Sequence, residues 1–372
     1  MAGQPDLADS SGSSWWNLSR LLPAPANHAR LKHCADDFQV REELGFDLTG
    51  AGEHLCVEVE KTGLTTLEAA RRLGAAAGLG QADIGYAGMK DRIARASQWF
   101  SLRLAESADG RLAEAEDGSL RILQARRNAR KIRIGSHRHN HFLIRLRDFS
   151  GCRQDAENRL RALAGGGAPN YFGPQRFGAL AGNLEQLRQR IARQAGGAPG
   201  RRLARGERSR LYSAARALVF NDLLSARLAR GNWNRWVPGD VAALDGSGRL
   251  IPAAEADPAG ELQERLDALD THLTGPLAGA KLSRSRYETR AEAADMENAV
   301  LENHADTLAW LVREGVEAGR RPLRFAPREL RWSWNGDDLL LRFALTRGAY
   351  ATSLIRELCL TDGSETGNEA ES

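Results

Sequence analysis

The stretch Gly88-Met89-Lys90-Asp91-Arg92 places a carboxylate in a short polar segment that opens with glycine. Ile84-Gly85-Tyr86-Ala87 before it has strand character, and so has the segment from Gln98 to Leu104 after it, in which apolar residues alternate. An aspartate held between two strands is positioned, and a neighbouring lysine favours the ionised carboxylate that a nucleophile or a base needs. Lys-Asp pairs in loops are more often turn chemistry, so the local pattern leaves a structural and a catalytic interpretation open.

The residues around this loop mix strand and helix signals. His54 to Glu60 alternates as a half-buried strand, and Thr65 with Glu68 forms a capping box that predicts a helix through about Ala77. Strands are also predicted at Lys131–Ile134 and Phe142–Arg147. In the second of these, Arg145 and Arg147 face away from the apolar residues. This mixture predicts an α+β fold with a mixed or antiparallel sheet.

The pattern changes after three consecutive glycines at 165–167, where helical spacing dominates. Helices are predicted over 183–194, 208–230, 261–273 and 290–316, and strand character returns over 339–345 before a closing helix over 352–360. We therefore predict a catalytic α+β domain, residues 26–166 and 325–361, interrupted by an inserted, mostly helical domain, residues 167–324. Residues 1–25 are expected to be a disordered lead-in and residues 362–372 an acidic tail.

Composition limits the possible partners. The chain has 372 residues and a net charge of only +4, but its arginines gather in runs at 126–133, 201–210 and 320–324. Such patches suit a phosphate backbone, and each is equally typical of a solvated helix face. The four cysteines have no metal-ligand spacing, and no signal sequence or membrane span is evident, which favours reduced thiols in the cytoplasm.

Four short sequence motifs follow one another along the chain. The first is Asp37-Phe38 with Glu42-Glu43-Leu44-Gly45-Phe46, and the second comprises Ala87, Gly88, Lys90, Asp91, Ala94 and Gln98. The third is Asn170-Tyr171-Phe172-Gly173-Pro174-Gln175-Arg176-Phe177-Gly178, and the last is Gly348-Ala349-Tyr350-Ala351-Thr352-Ser353 with Arg356-Glu357-Leu358. From about residue 30 to residue 360 the chain resembles the TruD family of tRNA pseudouridine synthases, although Ala96 stands where that family usually has threonine.

The resemblance implies the pseudouridine synthase fold with an inserted TRUD domain, and it implies a reaction. The N-glycosidic bond of a uridine breaks, the base turns and it rejoins through carbon, in that family at position 13 of the tRNA D-arm. Substrate and product are isomers, so no cofactor or metal is expected. The resemblance places the active-site aspartate of these enzymes at Asp91. It also implies tRNA as the partner, and we expect a monomer.

The same resemblance suggests further site residues. Lys32 falls where the family has a basic partner for the carboxylate, whereas Lys90, nearer in sequence, can point away because neighbours in an extended loop often do. Phe38 and Tyr350 are expected as aromatic walls for a flipped base, with Tyr350 standing where the family commonly has phenylalanine. Asn140, two residues before a phenylalanine, is expected to contact the uracil edge.

Two interpretations of other classes stay open beside the isomerase. A non-catalytic RNA-binding or tRNA-folding protein could keep the scaffold, but it would not need a carboxylate beside a polyanion. A metabolic nucleotide enzyme is disfavoured because no P-loop or Rossmann fingerprint is present. The alternating His137, His139 and His141 suggest a metal site only weakly, since no cysteine or carboxylate lies near them in sequence, and contact with phosphate is the better hypothesis.

Overall fold

The computed structural model describes residues 17–178, 181–195, 203–253, 260–280 and 287–362, and the chain divides into two compact units. We call Asn27–Arg153 with Pro327–Ala349 the sheet unit. The described residues of Met1–Ala26, Gln154–Ala326 and Tyr350–Ser372 form the helical unit.

The strands and helices follow one another along the chain with these bounds. The strands are β1 His28–Arg30, β2 Phe38–Leu44, β3 His54–Thr62, β4 Ile84–Tyr86, β5 Arg95–Arg103, β6 Leu120–Asn128, β7 His137–Ser150, β8 Ala168–Pro169, β9 Ala242–Leu244, β10 Leu250–Ile251, β11 Thr271–Leu277, β12 Gly319–Pro322, β13 Arg324–Phe325, β14 Arg328–Asn335, β15 Asp338–Thr346 and β16 Leu360–Asp362. The helices are α1 Thr66–Ala77, α2 Arg153–Gly166, α3 Gly182–Ala195, α4 Arg205–Ala229, α5 Glu261–Asp267, α6 Ala291–Asn303, α7 Ala305–Arg313 and α8 Ala351–Leu358.

The sheet unit is built on a mixed sheet in the order β14-β15-β7-β2-β5-β3-β6, with β1 added to β7 and β4 to β5. β2 and β5 run parallel, and the other pairs of this sheet are antiparallel. The predicted alternation in β5 is confirmed, but both of its faces are covered. Phe100 packs into the core under α1, and Trp99 packs on the opposite face with Ile132. The α+β class with a mixed sheet is therefore observed.

The capping box predicted for the first helix is confirmed. The backbone N–H of Glu68 donates to Thr65 Oγ1 at 3.2 Å, and the N–H of Thr65 donates to Glu68 Oε2 at 2.7 Å. The helix ends at Ala77 and is capped by Gly78, whose φ of +67° is the left-handed conformation that glycine adopts most easily. These two signals fix where α1 begins and ends, and its first turn lies beside the Asp91 loop.

One strand prediction in the sheet unit is wrong. Residues 131–134 form a loop, because the N–H of Ile132 donates to the Ser101 hydroxyl at 2.9 Å instead of to a neighbouring strand. This loop runs against β4, where a Cβ on Gly85 would lie 2.2 Å from the Ile132 carbonyl oxygen. The strand that pairs with β3 on the side away from β5 is β6, most of which carries charged and polar side chains that hide its strand character.

The helical unit is less helical than the sequence predicts. The predicted helix over 261–273 ends at Asp267, and β11 follows it inside a four-stranded sheet of order β10-β9-β11-β12. The predicted helix over 290–316 is two helices, α6 and α7, that meet at His304. The core of the unit surrounds the long helix α4, with Phe220 and Leu224 buried beside Trp310 of α7.

The boundaries between the two compact units differ from the predicted domain boundaries. Helices α2 and α8 cluster with the helical unit, whereas the prediction assigned residues 154–166 and 350–361 to the catalytic domain. The division into compact units reflects only which residues are in contact. The assignment of these residues to the catalytic domain therefore stays a prediction. Most of the predicted lead-in and acidic tail lie outside the described residues. In the described part of the chain no helix is long and apolar enough to cross a membrane.

Candidate active site

The loop that carries Asp91 is fixed by two buried polar side chains. The N–H of Lys90 donates to Thr66 Oγ1 at 2.8 Å, and that hydroxyl donates to Gln98 Oε1 at 2.8 Å. The Gln98 amide then donates to the Gly88 carbonyl oxygen at 3.2 Å. Because buried polar groups are costly without partners, this closed set of bonds holds the loop between the start of α1 and the start of β5.

Asp91 is paired with Lys32. Nζ of Lys32 lies 2.7 Å from Oδ2 of Asp91, and the exposed fraction of the two side chains is 14% and 39% respectively. Lys32 has a φ of +57°, an uncommon conformation for a residue with a side chain. The ammonium is thus largely buried while the carboxylate stays open to solvent on one side. The structure brings together the two residues that the sequence predicted as partners.

The ring of Phe38 lies under the same lysine. Lys32 Nζ is 4.7 Å from the ring centroid, a cation–π contact that adds to the ion pair. The ring itself is buried and packs edge-on against Phe142 with centroids 5.9 Å apart. Phe38 is therefore part of the wall that holds Lys32, as well as a candidate surface for a base.

Asn140 projects from β7 on the face that also carries Phe142. Its register partner in β2 is Glu42, which places the amide on the same side of the sheet as Phe38 and the Asp91 loop. Oδ1 of Asn140 is buried and accepts no hydrogen bond from the described residues. A buried acceptor without a partner is costly, and a ligand group that donates to it would remove that cost.

Lys90 does not pair with Asp91. Its Nζ lies 2.6 Å from Oε2 of Glu42, and both side chains are almost fully buried. Oε1 of Glu42 accepts the backbone N–H of Trp99 at 3.2 Å. The adjacent lysine thus points away from the carboxylate, as the extended loop allowed, and the general statement that a neighbouring lysine favours the ionised form does not apply to Lys90. Lys90 points into the sheet and anchors the loop there, and Lys32 supplies the charge beside Asp91.

A buried lysine that sequence reasoning missed, Lys61, contacts the backbone of the Asp91 loop. Nζ of Lys61 donates to the Asp91 carbonyl oxygen at 3.0 Å and also to the Leu64 carbonyl oxygen. Burial lowers the pKa of Lys61 to about 8, and the charge of Asp91 partly opposes that shift. The signal was present in β3, where Lys61 occupies the apolar face of the alternation after Leu55, Val57 and Val59.

This burial gives a testable pH dependence of stability. The pKa of Lys61 falls from 10.5 to about 8 on folding, so between these pH values the unfolded chain binds more protons and the free energy of unfolding rises with pH. We expect the difference between wild type and Lys61→Met to rise by about 3 kcal/mol across this range. Urea unfolding of both proteins at several pH values measures it, and a difference that stays flat would contradict the burial of a charged lysine.

Tyr350 belongs to the helical unit, whereas Asp91, Lys32, Phe38 and Asn140 belong to the sheet unit. Its hydroxyl accepts a hydrogen bond from Arg176, and its ring packs against Phe172 with centroids 6.2 Å apart. Arg321 lies 3.9 Å above the Phe172 ring and 5.6 Å from that of Tyr350. Burial lowers the pKa of Arg321 to about 10. Two arginines that the prediction did not include in the site, Arg176 and Arg321, thus contact Tyr350 and fix its position.

Two histidines of β7, His139 and His141, contact the carboxylate of Glu43, which is distant from them in sequence. His139 Nδ1 and His141 Nε2 lie 3.1 Å and 2.7 Å from the same oxygen, Oε2 of Glu43. Hydrogen bonding to His141, and then to His139, lowers the pKa of Glu43 against the effect of burial. Within the described ranges no group of three or more histidine, cysteine, aspartate or glutamate side chains could hold a metal ion.

The basic runs are not simple phosphate surfaces. Arg127 is buried and donates to the Leu104 carbonyl oxygen. Arg320 pairs with Glu297, and Arg324 is buried in the helical unit. Arg201 and Arg202 of the second run lie outside the described residues. Charge density along the sequence therefore overstates the basic surface, because several of these guanidinium groups satisfy interior carbonyls and carboxylates.

Comparison with known proteins places this fold. The sequence model of tRNA pseudouridine synthase D, TruD, matches residues 21–195 and 205–358. The tRNA pseudouridine synthase D of Pseudomonas putida (strain GB-1) is 44% identical over 340 residues, 91% of this chain and 93% of that protein. The protein of that name from Azotobacter vinelandii (strain DJ / ATCC BAA-1303) is 45% identical over 343 residues, with the same coverage of 91% and 93%.

A solved structure agrees with these sequences at the level of the fold. A Methanosarcina mazei protein whose crystal structure is described under the name TruD has a TM-score of 0.64 to this chain, covering 92% of this chain and 94% of that one at 20% identity. The mixed α+β architecture is accordingly that of the pseudouridine synthase fold. The chain belongs to the tRNA pseudouridine synthase D family.

Proposed function

We propose that this chain isomerises uridine to pseudouridine in tRNA and that Asp91 is its catalytic carboxylate. The observation that supports the role of Asp91 is its ion pair with Lys32 at 2.7 Å, in a loop that Thr66 and Gln98 lock from within. A carboxylate that is 39% exposed beside a largely buried ammonium is reachable by a substrate and does not need to reorganise when charge develops.

The isomerisation needs few groups of the protein besides Asp91. The bond from N1 to C1′ breaks, the base turns, a bond from C5 to C1′ forms, C5 loses its proton and N1 gains one. Substrate and product have the same atoms, so no co-reactant is consumed. Asp91 acts as nucleophile or base during these steps. Lys32 compensates its charge, and Phe38 keeps the ammonium in place from the other side.

Two further residues would bind the base. The Asn140 amide can accept and donate at the uracil edge, and its buried Oδ1 lacks a partner among the described residues. Tyr350 offers a ring face for stacking, which would replace the stacking that a flipped uridine loses. We propose that both contact the substrate.

The finer features of the substrate and setting are also proposals. We propose position 13 of the D-arm as the target, on the family resemblance, and a monomer working in the cytoplasm. The names of the relatives from Pseudomonas and Azotobacter give tRNA as what those proteins modify. A non-catalytic RNA-binding protein is the second candidate, but it gives no reason for an aspartate paired with a buried lysine next to bound polyanion.

Mass spectrometry of tRNA after carbodiimide labelling tests the proposal. Pseudouridine keeps the carbodiimide adduct, so a cell lacking this protein should lose one labelled position, and the wild-type gene should restore it. The Asp91→Asn gene, expressed at the same level, should not restore it. Unchanged labelling in the cell without the protein would assign the modification to another enzyme and favour the RNA-binding candidate.

Tyr350 gives a graded prediction. Tyr350→Phe keeps the ring and removes only the bond from Arg176, so we expect less than about a five-fold loss of kcat/KM, as for one hydrogen bond. Tyr350→Ala removes the stacking face, worth about 1–3 kcal/mol per base, and should slow turnover and weaken capture of the uridine together. Steady-state kinetics on a tRNA transcript measure both.

Arg176→Met deletes the same hydrogen bond from the other side, together with the bond from Arg176 to Ser213 and the cation–π contact with Phe172. Its loss of kcat/KM should be at least that of Tyr350→Phe, and adding Tyr350→Phe to Arg176→Met should reduce kcat/KM little further, because the shared bond is already gone. Tyr350→Ala as active as wild type would show that Tyr350 only packs the helical unit.

A further inference from the structure

Most of the exposed large apolar side chains described in the sheet unit lie on segments around the Asp91 loop. In the described part of the chain six large hydrophobic side chains are exposed, and four of them lie on segments bonded to this loop. We call these four the apolar rim: Phe46, Leu67, Met89 and Ile134. Ile134 is 78% exposed and Met89 is 60% exposed, so neither contributes much to the folded core.

Backbone hydrogen bonds tie three of the four segments together. The N–H of Gly45 donates to the Ser136 carbonyl oxygen at 3.0 Å, which brings the segments of Phe46 and Ile134 side by side. The N–H of Gly135 donates to the Ala87 carbonyl oxygen at 2.7 Å, and this joins the same turn to the segment of Met89.

The fourth member of the rim lies on the other side of the loop. Leu67 follows Thr66, whose hydroxyl accepts the Lys90 N–H at 2.8 Å. The rim therefore lies on the loops and the first turn of α1 that are hydrogen-bonded around the Asp91 loop. Single exposed hydrophobic residues are ordinary on a protein surface, but their concentration beside one polar site marks an interaction surface.

The charges around the rim indicate the partner. Arg133 and Arg138 are exposed, and neither pairs with a carboxylate among the described residues. Arg347 is exposed as well and donates to the Gly135 carbonyl oxygen at 3.0 Å. Two acids are next to rim residues in sequence: Asp47, which is exposed beside Phe46, and Glu68, which follows Leu67 and pairs with Arg92. Apolar side chains within a cationic frame suit a polyanion that also presents flat apolar faces, and unpaired RNA has both.

We propose that the apolar rim packs against unpaired bases of the substrate RNA that flank the isomerised uridine. This rests on the proposed function, since it assumes that a uridine reaches Asp91. Turning one nucleotide out of a stack leaves its neighbours with exposed faces, and the rim covers those faces while the arginines meet the adjoining phosphates. Product release would uncover the rim again.

Binding of an unmodified tRNA transcript tests the proposal. The rim variants are Met89→Ser with Ile134→Ser, and Phe46→Ser with Ile134→Ser, the second leaving the Asp91 loop untouched. The matched control is Leu123→Ser with Val312→Ser, which removes the two exposed hydrophobic side chains that lie outside the rim. We expect both rim variants to raise Kd about ten-fold, as when stacking on one base is removed, and the control to stay within two-fold of wild type.

A salt series separates the apolar contact from the ionic one. The rim variants should keep the wild-type slope of log Kd against log salt, because they remove no cation. Arg133→Met with Arg138→Met should reduce that slope by about 0.7 for each phosphate that the variant no longer neutralises. A changed slope in the rim variants would contradict the proposed apolar contact.

Other outcomes would also overturn the proposal. If both rim variants bind as wild type does, or if the control weakens binding as much, the rim does not contact RNA. If affinity is unchanged but a wild-type dimer dissociates in the rim variants by sedimentation, the rim is a contact between copies of this chain. These tests measure binding, so failure of the proposed isomerase activity would appear separately as wild-type protein that forms no pseudouridine.

Discussion

Asp91→Asn should abolish pseudouridine formation and leave the affinity for tRNA nearly unchanged. The amide has the shape of the carboxylate, but it is neither a nucleophile nor a base. The loop bonds through Thr66 and Gln98 do not involve the side chain of residue 91. We expect the single-turnover rate to fall by at least about a hundred-fold, the usual loss for removing covalent or acid–base catalysis.

The substitution leaves Lys32 without its carboxylate, which could lower stability because that ammonium is largely buried. Thermal unfolding and tRNA binding of the variant are therefore measured beside the rate. A folded variant that binds tRNA and still turns over at more than about a hundredth of the wild-type rate would disprove the assignment of Asp91.

Lys32→Met should give the second largest loss. The ammonium is the charge nearest to the Asp91 carboxylate, and it is held between that group and the Phe38 ring. Removing the ammonium leaves charge at the Asp91 carboxylate uncompensated in the transition state. We therefore expect about a hundred-fold loss in kcat, with KM within a few-fold of wild type. Lys32→Arg keeps the charge and should recover part of kcat.

Lys131→Met is the matched control, because it removes a lysine of the same unit whose ammonium donates to the Ala82 carbonyl oxygen and forms no ion pair with a carboxylate among the described residues. Its kcat should match that of wild type. Equal losses of kcat in Lys32→Met and Lys131→Met, or a rise in KM without a change in kcat for Lys32→Met, would show that Lys32 acts on RNA binding and not on the carboxylate.

The local sequence around Asp91 predicted its loop well, because the signals were local. The capping box at Thr65 and the alternation in β5 are short-range rules, and both are observed. The pairing of Lys32 with Asp91 came from the family resemblance, since nothing in the spacing of two residues 59 positions apart shows contact. Their roles, and those of Phe38, Asn140 and Tyr350, remain predictions.

The wrong predictions share a physical cause. The local pattern placed a lysine beside Asp91, but the burial of Lys90 against Glu42 depends on β2, which is distant in sequence. The run at 320–324 suggested RNA binding, but tertiary packing places Arg321 and Arg324 in the interior. β6 was missed because its pairing with β3 outweighs its polar composition. Charge and propensity are local properties, whereas burial is decided by the rest of the chain.

Release of tritium from tRNA labelled at C5 of uridine tests the central claim most directly. When C5 bonds to C1′, its hydrogen leaves to water, so each isomerised uridine frees one tritium. Purified wild-type protein should release one equivalent per tRNA at the target position, and Asp91→Asn should release none. Wild-type protein that binds the labelled tRNA and releases no tritium would contradict the account and identify an RNA-binding protein on this fold.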